Sequence, residues 1–240
     1  MKIQIVKIGL VIMAITAMIS LSACSCINDD TAREVCKELE KKYSEEFRVL
    51  QIGDRLNTGH TKLYVCPVNN EEIVFTVLVN RDTGEIMDNY IIEKVNHQVR
   101  CELEASFNSE NIDAFVKCKV VDNEEIVVKK NDYTPRELYE DNNFEEYYIV
   151  VILDGTSCDG EKLLKVVQEV QKKIEVNLLV SVYSFDNTHY RECIAKYKQN
   201  PNMTETSIKK FDPYVEIVLK IYNGKCNLSE EEIEKMLRGN

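Results

Sequence analysis

YYIVVILDGTSCDGEKLLKVVQEVQKKI, residues 147–174, decides the fold. Tyr147–Leu153 is apolar or aromatic at every position, which suits a central strand covered on both faces. Asp154-Gly155-Thr156-Ser157-Cys158-Asp159-Gly160 breaks that run. A helix follows in which Leu163, Val166, Val167, Val170 and Ile174 share one side. Asp159 and Glu161 at its start and Lys172-Lys173 at its end complement the helix dipole.

Downstream, the pattern predicts a strand over Val176–Phe185. A helix is expected over Thr188–Lys198, with Tyr190, Cys193, Ile194 and Tyr197 on one side. Tyr214–Tyr222 alternates, with Val215, Ile217, Leu219 and Ile221 facing a core. Ser229-x-x-Glu232 is a capping box that opens a last helix running to Gly239. Upstream, Thr134-Pro135-Arg136-Glu137 combines a hydroxyl cap, a proline at the first helical position and a closing Glu. Ala114–Val121 and Ile126–Lys129 read as a hairpin turning at Asp122-Asn123-Glu124-Glu125. Residues 112–240 are therefore expected to form one α+β domain, with its helices on one face of its sheet.

A polar break at Phe107–Asn111 separates this from an N-terminal α+β domain over 31–106. There Thr31-x-x-Glu34 caps a helix whose Ala32, Val35, Cys36, Leu39 and Tyr43 form one stripe. Strands are expected at Phe47–Ile52, Lys62–Val68 and Ile73–Asn80. A second helix follows from Asp88 to about Leu103, with Ile92, Val95, Val99 and Leu103 on one side. The overall expectation is α+β: two small domains of mixed helix and antiparallel sheet. Asp82-Thr83-Gly84-Glu85-Ile86 after a Val-rich strand is similar to PepSY-type modules of exported bacterial proteins. An ordinary hairpin accounts for the same dozen residues.

The first thirty residues have a different character. Lys2 and Lys7 precede an apolar run from Ile8 to Met18, and Leu21-Ser22-Ala23-Cys24 closes it. The run is shorter than the roughly 20 apolar residues a spanning helix needs, and its basic start and small-residue end match an export signal. Leu21-Ser22-Ala23-Cys24 resembles the lipobox of bacterial lipoproteins. That resemblance implies removal of residues 1–23, lipidation of Cys24 with palmitate-type chains, and anchoring of the cell-envelope protein on the extracytoplasmic face of the membrane. Residues 24–30 then form a short tether that keeps the first helix near the lipid surface. A retained membrane helix over Lys7–Leu21 and a plain, unlipidated signal peptide are the competing readings.

The formal charge of the chain is −11. Residues 1–23 hold Lys2 and Lys7 and no acid, so the mature chain would carry −13. A surface this acidic repels nucleic acid and anionic headgroups, which excludes both as expected partners.

Nine cysteines are present, and eight remain once Cys24 is set aside. Cys36, Cys118 and Cys193 fall on apolar faces and are expected as small buried hydrophobes. Cys101 lies off its helix's apolar face and is expected as an exposed thiol or in a bridge, with at most one or two disulfides in all. Cys158 lies between a strand and a helix N-terminus, a layout shared by redox and phosphatase nucleophiles. It has no second Cys at the thioredoxin spacing, and Leu164 stands where the phosphatase pattern has Arg. Asp159 and Glu161 would raise its pKa. The expected role is a loop thiol, bridging to Cys226 in one version.

His60, His97 and His189 fall in three elements and are read as solvent-facing, with no His-x-x-x-His or mixed Cys/His spacing taken from them. No metal site or cofactor is expected. No Gly-x-Ser-x-Gly, phosphate loop or dinucleotide fingerprint occurs. The expected function is a lipid-anchored envelope protein, a non-enzymatic binding or accessory module that meets another envelope protein near the membrane. The alternative is an envelope thiol-redox or hydrolytic enzyme using Cys158.

Overall fold

The computed structural model describes residues 30–53, 59–120, 126–199 and 204–238. The chain divides into two compact units between Tyr90 and Ile91. This is a two-unit α+β protein, with a four-stranded sheet and a five-stranded sheet.

In the first unit, helix α1 covers residues 30–43 and so already includes Asp30, one residue before the expected cap. Strands β1 (Phe47–Ile52), β2 (His60–Pro67), β3 (Phe75–Asn80) and β4 (Ile86–Asp88) follow as an antiparallel meander in the order β1-β2-β3-β4. Alternation sends Leu63 and Val65 of β2 to one face, opposite Val77 and Phe75 of β3. All four are buried, as are Val35 and Leu39 on the apolar stripe of α1. Tyr43, Phe47, Phe75 and Tyr90 fill the rest with edge-to-face and tilted contacts, ring centroids 4.8–6.0 Å apart. Such ring pairs contribute roughly 0.5–1.5 kcal/mol each beyond their burial.

Helix α2 (Tyr90–Ser109) opens the second unit. The division therefore falls at the start of this helix, not after it at Phe107–Asn111. The reason lies in its partners. The hydroxyl of Tyr147 donates to Asn96 Oδ1 at 3.0 Å in a buried bond, and Lys173 pairs with Glu102 at 3.1 Å.

The remaining elements are β5 (Ala114–Val120), α3 (Pro135–Asn142), β6 (Tyr147–Asp154), α4 (Gly160–Ile174), β7 (Leu178–Phe185), α5 (Asn187–Gln199), α6 (Glu205–Lys209), β8 (Val215–Tyr222), β9 (Lys225–Cys226) and α7 (Glu230–Leu237). The sheet runs β5-β6-β7-β8-β9, parallel only between β6 and β7. Val150 and Ile152 of β6 and Tyr183 and Phe185 of β7 meet Tyr190, Cys193 and Tyr197 of α5 and Ile208 of α6. The opposite face carries Ile149, Val151, Val180, Val182, Ile217 and Leu219, all buried, against Leu163, Val166, Val167 and Val170 of α4. Helices thus cover both faces, where one was expected. A strand apolar on both sides must be shielded on both, and β6 is buried at seven of its eight positions.

Ile126–Lys129 is not a strand. Val127 and Val128 are exposed, and Val127 is held through its backbone by the Asn142 side chain. The turn expected at 122–125 lies outside the described residues. Two of the three expected capping boxes, both in this unit, form as read, with Thr134 and Glu137 and with Ser229 and Glu232 exchanging bonds across the first turn.

Gly160 is structurally required in this unit. A Cβ on Gly160 would sit 2.6 Å from the Glu230 carbonyl oxygen and 2.7 Å from the Glu234 nitrogen, so α4 and α7 meet backbone to backbone.

Candidate functional site

Leu21, Ser22, Ala23 and Cys24 lie outside the described residues, as does Cys26. The other seven cysteines are all free thiols, so no disulfide joins the described residues. Cys118 and Cys193 are buried as expected, Cys36 only half-buried, and Cys101 exposed. The version in which Cys158 bridges to Cys226 is overturned, since both are thiols. Cys226 faces the Asn227 side chain instead.

Cys158 occupies a cleft of about 300 Å³ lined by residues 155–159 together with Lys162, Glu234, Leu237 and Arg238. It is a poor nucleophile there. Burial first, then the Asp159 and Glu234 carboxylates, push its pKa up to about 12 against the opposing pull of Lys162. Its Sγ donates to the Asp159 carbonyl at 3.4 Å. The helix terminus beside it is already satisfied. Asp159 accepts from the Lys162 N–H at 2.8 Å, and Glu234 of α7 accepts from the Gly160 N–H at 2.7 Å.

Open α/β sheets bind ligands where neighbouring parallel strands send their connections to opposite faces. β6 leads to α4 on one face and β7 leads to α5 on the other, so such a crevice begins at Asp154 and Phe185. Side chains of the protein fill it. Asp154, 3% exposed, accepts from the Thr156 hydroxyl at 2.6 Å and N–H at 2.9 Å, and from Asn187 Nδ2 at 2.5 Å. Burial opposes its charge, but these donors hold its carboxyl below the usual range. The Gly155 N–H donates to the Phe185 carbonyl at 2.8 Å, and a Cβ at Gly155 would strike Ser184 Oγ. Beside this seam, Asp186 accepts from the His189 N–H, pairs with His189 Nδ1 at 2.6 Å, and accepts from the Tyr214 hydroxyl at 3.0 Å. The His189 bonds bring Asp186 down to about 2, and Asp186 in turn raises His189.

The first unit offers a different surface. A groove of about 580 Å³ lies between α1 and the β3–β4 edge. Val35, Leu39, Val79 and Ile86 line it, with Glu34, Glu38, Lys41, Lys42 and Asp88 among its polar groups. Lys42 and the Tyr43 hydroxyl hold Asp88 at 2.8 and 2.6 Å, fixing one end.

One cluster was missed in the sequence. His97 and Cys101 do stand at a mixed four-residue spacing, and on α2 the Cys101 sulfur lies 3.6 Å from His97 Nε2, with Arg100 donating to Nδ1 at 2.7 Å. The i, i+4 spacing was the available signal. Among the described residues no group of three or more His, Cys, Asp or Glu side chains could hold a metal ion.

Two α+β units, one with an open groove and one with a filled crevice, define the class of protein. No protein-family model matches the chain, and no curated protein matches it. Its fold is similar to the crystal structure of a DUF5037 family protein from Ruminococcus gnavus, with TM-score 0.66 and 15% identity, over 87% of this chain and 99% of that one. At that identity the likeness is one of fold alone.

Proposed function

We propose that this is a lipid-anchored envelope protein, held through Cys24 on the extracytoplasmic face, whose folded units act as a non-enzymatic binding module for another envelope protein. The observation that carries the reading is the ordered sequence of Lys2 and Lys7, apolar run and Leu21-Ser22-Ala23-Cys24. Among the described residues no helix is long and apolar enough to cross a membrane. The binding role, as opposed to catalysis, is supported by the raised Cys158 pKa and by the crevice that Asp154, Thr156 and Asn187 fill.

Fractionation of cells carrying the wild-type chain and Cys24→Ser tests the anchor. The wild type is expected in the membrane with an acylated N-terminal Cys24 peptide by mass spectrometry, and the variant is expected to leave the membrane. Retention of a full-length precursor containing Met1 would overturn it. Crosslinking from solubilised membranes then tests the module: a specific envelope protein recovered with the wild type and lost with Cys24→Ser supports it. Thiol-dependent turnover abolished by Cys158→Ser would replace it with the enzyme reading.

A further inference from the structure

We infer that Cys101 on α2 is a site of thiol–disulfide exchange, a thiolate stabilised by His97 and Arg100 that captures half of a low-molecular-weight disulfide.

The setting is built from neighbouring residues of one helix. His97 and Cys101 stand four residues apart on α2, so their side chains meet. An Arg100 guanidinium nitrogen lies 2.7 Å from His97 Nδ1, and a guanidinium can only donate. Nδ1 must therefore accept, which leaves the proton of the neutral ring on Nε2. Nε2 is the ring nitrogen nearer the Cys101 sulfur, at 3.6 Å against 3.8 Å for Nδ1. An N–H donor beside the sulfur favours the thiolate over the thiol, and the Arg100 charge behind the ring acts in the same direction.

Access singles out the same residue. Among the described thiols Cys101 alone is exposed; Cys66, Cys118 and Cys193 are buried, and Cys36, Cys158 and Cys226 are half-buried. Burial pushes Cys158 up to about 12 and Cys193 up to about 11, which makes both of them poor competitors. The charges around the pair are also unlike those of the chain as a whole. On α2 they are Arg100, its partner Glu104 at 3.9 Å, and Glu93. From β5 come Lys117 and Lys119 near Glu93, and the buried Cys118, which senses both Arg100 and Cys101. From α5 comes the Tyr197 hydroxyl, which senses Arg100 and Glu93. In a chain of net charge −11, the cations of this patch outnumber its carboxylates.

The step balances without a further oxidant. The Cys101 thiol gives its proton to solvent, and the thiolate attacks one sulfur of the small disulfide. The new S–S bond forms as the old one breaks. The departing half leaves as a thiolate and takes a proton from solvent, so it is reduced as Cys101 is oxidised. Cysteines that go on from oxidation to an internal disulfide stand next to an accessible resolving thiol. Here the neighbouring Cys118 is buried, so capture ends at the mixed disulfide. The result is a reversible, stoichiometric cap on α2, independent of the anchor at Cys24 and of the cleft at Cys158.

The test follows capture of oxidised glutathione by the full folded chain, with acid quenching and peptide mapping. At about pH 6, Cys101 should react about threefold faster in the native chain than in the urea-unfolded one, where its partners are dispersed. His97→Ala should lose that gain at about pH 6. At about pH 10 the gap should vanish or reverse, because a stabilised thiolate is the weaker nucleophile once every thiol is ionised. His97→Gln, which keeps a side-chain N–H, should retain part of the gain. A native Cys101 no faster than the unfolded one at about pH 6 overturns the inference without any variant. Equal rates in wild type and His97→Ala at about pH 6 overturn it too. Equal slowing of His97→Ala at both pH values would mean lost access in place of lost ionisation, and also overturns it.

Discussion

The two units handle their sheets in opposite ways. The five-stranded sheet of the second unit is shielded on both faces, and the crevice at the ends of its parallel strands is filled by Asp154, Thr156 and Asn187. Among the described residues, the four-stranded sheet of the first unit has no strand on the outer side of β4, and a groove lies beside it. Architecture alone would place a ligand in the second unit, because a switch point is a common place for one. The side chains work against that expectation: at this switch point Asp154 already accepts from Thr156 and Asn187.

The sharpest way to break this contrast is the thiol of the second unit's cleft. With Cys158 raised from an ordinary value of 9 to about 12, its thiolate fraction at neutral pH falls roughly a thousandfold. Iodoacetamide labelling followed by peptide mapping should find Cys158 about that much slower in the native chain than in the unfolded one. Fast native labelling would reopen the second unit as a chemical site.

Core truncations come next. Leu163→Ala and Leu39→Ala remove fully or nearly fully buried side chains, one in each unit, and each should cost about 3 kcal/mol. In guanidinium unfolding followed by hydrogen exchange, each variant should destabilise mainly its own unit. A single shared transition would merge the two units into one cooperative body. Gly160→Ala should cost the second unit about 2 kcal/mol, because the added methyl meets backbone atoms of α7 that have little room to yield.

Asn187→Ala should cost a similar or slightly smaller amount, about 1.5–2 kcal/mol at neutral pH, for one lost bond to a buried carboxylate. The sign with pH is fixed. Asp154 has a depressed folded-state pKa, so its contribution is present above its unfolded value and lost as pH falls through the folded one. The gap between variant and wild type should therefore close in acid. If it stays constant, the bond is not charge-assisted.

The smallest effect concerns His189, whose ring titration by NMR should lie above 6.5 and move down toward it in Asp186→Asn. His189 is raised by its partner, so any stability it lends is complete below the unfolded value and disappears as pH rises through the folded one. An unchanged midpoint would show that the pair at 2.6 Å does not persist in solution.

Much of the fold was legible because it is written in local pattern. The two-sided apolarity of Tyr147–Leu153, the stripe of α4 and the boxes at Thr134 and Ser229 each specify one element with contacts a few residues apart. β4 and β9, of three and two residues, and α6, of five, are too short for a period to emerge. The helices on both sides of the larger sheet were implied by β6 itself, and the one-face expectation did not follow that implication through. The site was harder to read. Glu234 reaches Gly160 across 74 residues, and Asn187 reaches Asp154 across 33. No spacing rule connects such pairs before the parallel register of β6 and β7 is known. His97 and Cys101 are the exception, four residues apart and overlooked.

The carboxylate that α7 lends to the first turn of α4 also sets an order of assembly. A chain emerging N-terminus first has every described strand of its smaller sheet by Asp88, whereas the start of α4 lacks its Glu234 acceptor until the last described helix appears. If the chain is threaded through a membrane unfolded, the smaller body can close early at the exit. The larger one must wait with the beginning of α4 unlatched until α7 is across.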